Sequence, residues 1–158
     1  MFDWLEGRTD IDPDRAGLWG VSLGGYYAAR AAAFEKRVKA CITLSGPYNW
    51  GAAWENLPKL TRAAFHARSR AASEAEAFEN ATKLSLEGVA QNITCPLFVL
   101  AGKLDRIVPY TDAERLASET SGPVELLVVE DGNHIANNRP YRYRAQSADW
   151  MAAQLGAG

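Results

Sequence analysis

Residues 17–30, from Gly17 to Arg30, read GLWGVSLGGYYAAR. A short apolar run ends in Gly20-Val21-Ser22-Leu23-Gly24-Gly25 and passes straight into an alanine-rich stretch without breakers. Periodicity predicts a strand before the serine and a helix over Leu23–Phe34 after it. A serine between glycines at such a junction fits the G-x-S-x-G nucleophile elbow, in which a sharp turn lifts the hydroxyl above the sheet. The glycines give room for the turn, and the strained serine backbone stands at the start of a helix. There the Leu23 N–H points to where an oxyanion would form. The competing reading is a serine-containing strand-to-helix turn that holds phosphate.

Three more apolar runs follow: Val38–Leu44 (VKACITL), Pro96–Ala101 (PLFVLA) and Val124–Val129 (VELLVV), after the first run at Arg15–Val21. Each is short, rich in Val, Ile and Leu, and closed by Gly, Ser or Asp, so each reads as a strand buried on both faces. Helical patterns lie between them. One runs from Ala113 to Glu119 behind a Thr111/Asp112 capping signal, and one from Tyr141 to Leu155. Alternation of this kind predicts an α/β fold of about four mostly parallel strands with flanking helices. The connection from the second strand to the third is far longer than one crossover helix requires. Residues 46–92 read as two or three helices divided at Pro58 and Ser73, a cap-like insertion over the strand ends. Tyr26 follows the elbow, and Tyr48, Trp50 and Trp54 open the insertion. These four aromatics are candidate pocket residues, with helix packing the competing role.

A nucleophilic serine needs a base, and the chain has 2 histidines. Strand-to-helix elbows of this type take their partners in the chain order serine, acid, histidine. His66, in AAFHARSR, lies inside the helical insertion and reads as a partly exposed helix residue. His134, in VVEDGNHIANN, leaves the end of the fourth strand on the edge that carries Ser22. Asp105, in LAGKLDRIVP, leaves the end of the third. The role of Asp105 would be to hold the imidazole through its Nδ1–H and to stabilise the imidazolium. Asp131 is the rival acid but shares a turn with His134, and Asp112 reads as a helix cap.

The net charge of −2 offers no electrostatic footing for nucleic acid or an anionic membrane. Cys41 and Cys95 match no metal or redox spacing and read as buried reduced thiols. No metal or cofactor is expected. The opening MFDWLEGRTD has neither the cationic nor the apolar region of a secretion signal, so a cytoplasmic protein is expected.

At these residues the sequence resembles the α/β-hydrolase superfamily. GLWGVSLGGYYAARAAAFEKRVKACITLSGPYNW, GKLDRIVP and EDGNH are similar to the group of fermentation-respiration switch protein-like esterases and C–C bond hydrolases of the dihydroxypseudooxynicotine hydrolase type. The resemblance runs from about Asp3 to the end. It implies Ser22 as nucleophile, Asp105 as acid and His134 as base, acting on a small-molecule acyl substrate, an ester or activated ketone, through an acyl-enzyme. Acyltransferase or peptidase chemistry on the same scaffold is an alternative. Another is an impaired fragment or interaction module that keeps these residues.

Members of the group carry several strands and helices ahead of the nucleophile strand, with a loop there that donates the second oxyanion N–H. Residues 1–158 are therefore expected to be a single domain corresponding to a C-terminal half. The strand at 15–21 would then lie at a sheet edge, where a second copy or a separate N-terminal half would pair with it.

Overall fold

Strands made of near-continuous apolar runs tend to be buried on both faces, and in parallel order that requires helices on each side. A computed structural model, which describes residues 1–156, has this arrangement. Its four strands are β1 (Gly17–Val21), β2 (Ala40–Leu44), β3 (Leu97–Gly102) and β4 (Val124–Val129), all parallel, in the spatial order of the chain. Helices α1 (Phe2–Glu6), α2 (Leu23–Phe34), α3 (Lys59–Ser69), α4 (Glu74–Thr82), α5 (Tyr110–Glu119) and α6 (Arg144–Gln154) surround and cap the sheet.

β2 and β3 are buried along their whole length, and their side chains alternate between two cores. Cys41, Leu97, Val99 and Ala101 join the cluster under α2 and α5, with Ala29, Ala33 and Leu116. Ile42, Leu44, Phe98 and Leu100 face the other way, onto Tyr143, Trp150 and Met151 beside and on α6. The period of two thus persists where hydrophobicity alone conceals it.

The edge strands depart from the expectation of burial on both faces. Trp19 is 47% and Val21 43% exposed, and Leu126 of β4 is also exposed. Each edge strand has a neighbour on one side only, and α6 packs chiefly on β2. α5 begins at Tyr110 behind Pro109, earlier than the Thr111/Asp112 signal suggests. Asp112 does not cap that helix. It accepts the Tyr48 N–H at 2.9 Å instead and so ties α5 to the start of the insertion. The C-terminal helix starts at Arg144, because Pro140–Arg142 forms a separate tight turn ahead of it. Cys41 is buried, Cys95 is only partly buried, and both are free.

The insertion closes on itself. Trp50 N–H donates to Leu84 C=O and Leu86 N–H to Tyr48 C=O, both at 2.9 Å, so its two ends run side by side. Ser73 caps α4 by accepting the Glu76 N–H, as the sequence predicts. Trp50, Trp54, Leu57, Ala77 and Ala81 form a core of their own, with Phe65 of α3 packed against it.

Small residues let α2 approach the sheet. Gly25, Ala28, Ala29, Ala32 and Ala33 make its buried stripe, with the spacing of one helix face. A Cβ on Gly25 would lie 2.8 Å from Gly46 Cα, a backbone atom with nowhere to go, whereas one on Gly24 would meet nothing. Gly25→Ala should therefore destabilise the fold by about 1–3 kcal/mol through overpacking. Gly24→Ala should be neutral or stabilising by up to about 1 kcal/mol, from helix propensity. Urea unfolding of the two variants would check the pair.

Candidate active site

Because the four strands are parallel, the residues that follow them emerge at one edge. Ser22 follows β1, Ser45 follows β2, Asp105 follows β3 and His134 follows β4. Ser22 still donates its N–H to Leu44 C=O at 2.8 Å, the last rung of the ladder. Its backbone then turns to φ 53°, ψ −129°, a region that non-glycine residues rarely enter, and α2 starts at the next residue. This twist presents Oγ at the sheet edge. A Cβ on Gly20 would fall 2.0 Å from Gly24 C=O, so the turn closes only over a glycine there. Leu23 is the first residue of α2, and its N–H has no partner within the helix.

Ser22 Oγ lies 3.0 Å from His134 Nε2. His134 Nδ1 lies 2.8 Å from Asp105 Oδ2. The other carboxylate oxygen of Asp105 accepts the backbone N–H groups of Ile107 at 2.8 Å and Val108 at 3.0 Å. Asp105 has side-chain exposure of 1% and His134 of 26%, so the acid is sealed and the imidazole reaches the open. Burial pushes the Asp105 carboxyl up. The hydrogen bonds from His134, Val108 and Ile107 together outweigh burial and hold the carboxyl below its usual value. Asp131, the rival acid, pairs with Arg139 and leaves the ring to Asp105.

The loop that carries His134 is pinned from several sides. Asn133 N–H donates to the Asn138 side chain at 2.9 Å, and Asn138 Nδ2 donates to Asp131 C=O at 2.8 Å. Ile135 and Ala136 adopt positive φ, and Ile135 N–H donates to Ser45 Oγ at 3.1 Å. Ser45, itself at φ 48°, thus fixes the histidine loop from the end of β2. Sequence reasoning did not single it out, although its place at a strand end before glycine is the signal that would have found it.

A cavity of about 480 Å³ opens over Ser22 and Leu23. Trp50, Phe65, Leu84 and Tyr27 supply its apolar walls. Trp50 is thus the one sequence-predicted aromatic on the wall. Tyr26 points the other way and is buried under α2, because neighbouring helix residues face about 100° apart. Tyr48 is buried beneath the Arg115 guanidinium, 4.0 Å from the ring centroid, and donates its hydroxyl to Glu119. Trp54 lies in the insertion core. His66, on α3, faces Ala71 C=O at 3.0 Å and stands apart from Ser22's cavity. Among the described residues, no three His, Cys, Asp or Glu side chains gather where a metal could sit, and no helix is long and apolar enough to cross a membrane.

A profile of the prolyl oligopeptidase family matches residues 1–158. The 2,6-dihydropseudooxynicotine hydrolase of Paenarthrobacter nicotinovorans is 32% identical over 160 residues, which cover 100% of this chain and 43% of that protein. An uncharacterised protein of Mycobacterium tuberculosis is 30% identical over 139 residues, 84% of this chain and 42% of its own length. The crystal structure of 2,6-dihydroxy-pseudo-oxynicotine hydrolase superposes with a TM-score of 0.90 at 31% identity, over 99% of this chain and 45% of that one. Acetyl xylan esterase 1 from Thermoanaerobacterium shares the fold, with a TM-score of 0.72 at 19% identity over 98% of this chain and 50% of its own. The chain spans about half the length, or less, of these proteins.

The depressed Asp105 carboxyl has a consequence for stability. A group whose value is lower in the folded state favours folding above its unfolded value, and that contribution disappears as pH falls through the folded one. Wild-type protein should therefore lose stability on acidification from about pH 4 downward. Asp105→Asn should lack this part of the acid loss while being less stable at neutral pH. Thermal midpoints of both proteins across the acid range would check it.

Proposed function

Since this chain belongs to the prolyl oligopeptidase family and has the α/β-hydrolase fold, we propose that it works as a serine hydrolase through Ser22, His134 and Asp105. The observation that carries this reading is the continuous line Ser22 Oγ–His134 Nε2 and His134 Nδ1–Asp105 Oδ2, at 3.0 and 2.8 Å. Both distances lie within the reach that proton transfer requires.

In this mechanism Ser22 Oγ attacks the carbonyl carbon of an ester or activated ketone, and its proton passes to His134 Nε2. The oxyanion forms in front of the Leu23 N–H, at the start of α2, where the helix dipole and an unpaired donor favour negative charge. The bond from the carbonyl carbon to the leaving group then breaks, and His134 returns the proton to that group, an alkoxide or a stabilised carbanion. Water adds to the acyl-enzyme by the same steps in reverse, giving a carboxylic acid and free Ser22. Asp105 keeps the imidazole in the tautomer with a free Nε2 and stabilises its charged form. Its two backbone hydrogen bonds hold the carboxylate still while it does so.

Water as the acceptor, rather than an added alcohol or amine, agrees with the open setting of His134. Its imidazole is partly exposed, and a groove lined by Leu104, Arg106, Ile107 and Asn133 adjoins it. The aromatic wall of the cavity suits an aryl or other apolar acyl group.

With p-nitrophenyl esters as substrates, wild-type protein should release a burst of nitrophenol followed by steady turnover. Ser22→Ala should remove the burst and lower turnover by at least about 10³-fold. His134→Ala should behave similarly. His66→Ala should stay within about twofold of wild type, because it touches neither Ser22's cavity nor the imidazole. Stopped-flow and steady-state measurements on the four proteins would check this; a burst that survives Ser22→Ala would overturn the assignment.

A further inference from the structure

The cavity over Ser22 is roofed by one face of α3. Thr61, Ala64, Phe65, Arg68 and Ser69 all line it, and their spacing is that of a single helical stripe. The opposite face of α3 turns away, with Lys59, Arg62 and His66 lining a separate outer groove. The stripe therefore runs in order from a hydroxyl through an aromatic ring to a guanidinium. Its length from Thr61 to Arg68 is about 10 Å at the rise of an α-helix.

Arg68 is the one charged residue among those that line the cavity, and no carboxylate shares the wall with it. Among the described residues it has neither an ion-pair nor a hydrogen-bond partner. Arg62, on the outer face, lies between Glu55 and Glu74, each at 3.9 Å. Arg68 thus stands at the open rim of the cavity, on its lining and without a counter-charge among the described residues. Trp50, Phe65 and Leu84 form the apolar part of the same space, with Ser22 and Leu23 also on its wall. A ligand that fills the space meets flat apolar surface along its body and a fork of N–H donors from α3. Guanidinium groups recognise carboxylates and similar oxyanions through paired hydrogen bonds.

We propose that the cavity selects aryl acyl groups that carry an oxyanion, a carboxylate above all, and that Arg68 is the specificity-determining residue that receives it. This inference rests on the proposed role of Ser22, whose hydroxyl marks the reacting end of the cavity. The aryl ring lies against Trp50 and Phe65, the carbonyl carbon meets Ser22 Oγ, and the distal carboxylate meets Arg68. The chemistry at Ser22 is unchanged; Arg68 only decides which acyl groups dwell there.

Binding and turnover separate the two ideas. Ser22→Ala protein, which cannot acylate at this position, is titrated with monomethyl terephthalate and with methyl benzoate. The two esters share a ring and a methyl ester and differ in one distal carboxylate. Calorimetry should give at least roughly tenfold tighter binding of the carboxylated ester. That preference should weaken with added salt. Adding Arg68→Gln should bring the two affinities to within about twofold, and Arg68→Lys should restore part of the difference, since it keeps the charge but not the fork. Arg68 is exposed, so thermal midpoints should be unchanged in both variants and a loss of preference cannot be assigned to unfolding. Equal affinities in the Ser22→Ala protein, no binding of either ester, or a preference that survives Arg68→Gln would each overturn the role of Arg68. A wild-type protein that binds with the preference but hydrolyses neither ester would leave Arg68 in place and overturn the hydrolase reading instead.

Discussion

Ser22 sits at φ 53°, ψ −129°, and the rest of the site is arranged around that strained residue. An L-residue with a side chain does not hold such a conformation by local preference, which costs on the order of 1–3 kcal/mol. It is held because the ladder bond to Leu44 fixes the N–H of Ser22 while the first turn of α2 fixes the backbone from Leu23 onward. The Ala and Gly stripe of α2 packs that helix tightly over β1 and β2, so the turn cannot relax by letting the helix drift. The hydroxyl and the first free N–H of α2 then stand side by side as a consequence of backbone geometry.

Parallel order does the rest of the placement. Val21, Leu44, Gly102 and Val129 close their strands on one edge. Residues distant in the chain, such as Ser22 and His134, meet there without any long-range signal in the sequence. The firmness of each loop then sets the geometry of the site. Asp105 is held by two backbone N–H groups and by His134, and their combined pull exceeds the cost of burying a carboxylate. His134 is held indirectly, through the Asn133–Asn138 exchange and the Ser45 hydroxyl under Ile135. Positive φ at Ser22, Ser45, Ile135 and Ala136 puts backbone strain at three of the four strand ends. Local strain of this kind is where functional side chains are commonly pre-set.

The insertion at residues 46–92 shows a different balance. Its helix breaks at Pro58 and Ser73 were readable, because a proline start and a serine cap act locally. Which of its aromatics would face Ser22 was not. Tyr48, Trp50 and Trp54 lie within seven residues, and all are buried, yet only Trp50 reaches the cavity wall. Tyr48 is diverted by Arg115 and Glu119 on α5, and Trp54 by Phe65 and Phe78 on α3 and α4. Those partners lie 11 to 71 positions away, so no pattern in the SGPYNWGAAW stretch could separate the three.

The α/β alternation, the four strands, the elbow at Ser22 and the order serine, acid, histidine were all legible along the chain. These come from short-range properties: hydrophobic period, glycine placement, and the type of residue that ends each strand. The sequence also pointed to Asp105 over the rival Asp131, which shares a turn with His134; in the structure the imidazole meets Asp105 and Asp131 pairs with Arg139. The tertiary structure alone decided which faces the strands bury, and it left Trp19 and Val21 exposed where a both-sided strand was expected. It decided that Tyr27 and not Tyr26 looks into the cavity, that Asp112 serves Tyr48 rather than its own helix, and that Arg68 lines the cavity while Arg62 lies between Glu55 and Glu74. In each case the choice lies between residues close in the chain and similar in type, or between near and distant partners. Only the elements packed against them, drawn from elsewhere in the chain, distinguish one side of a helix or strand from the other.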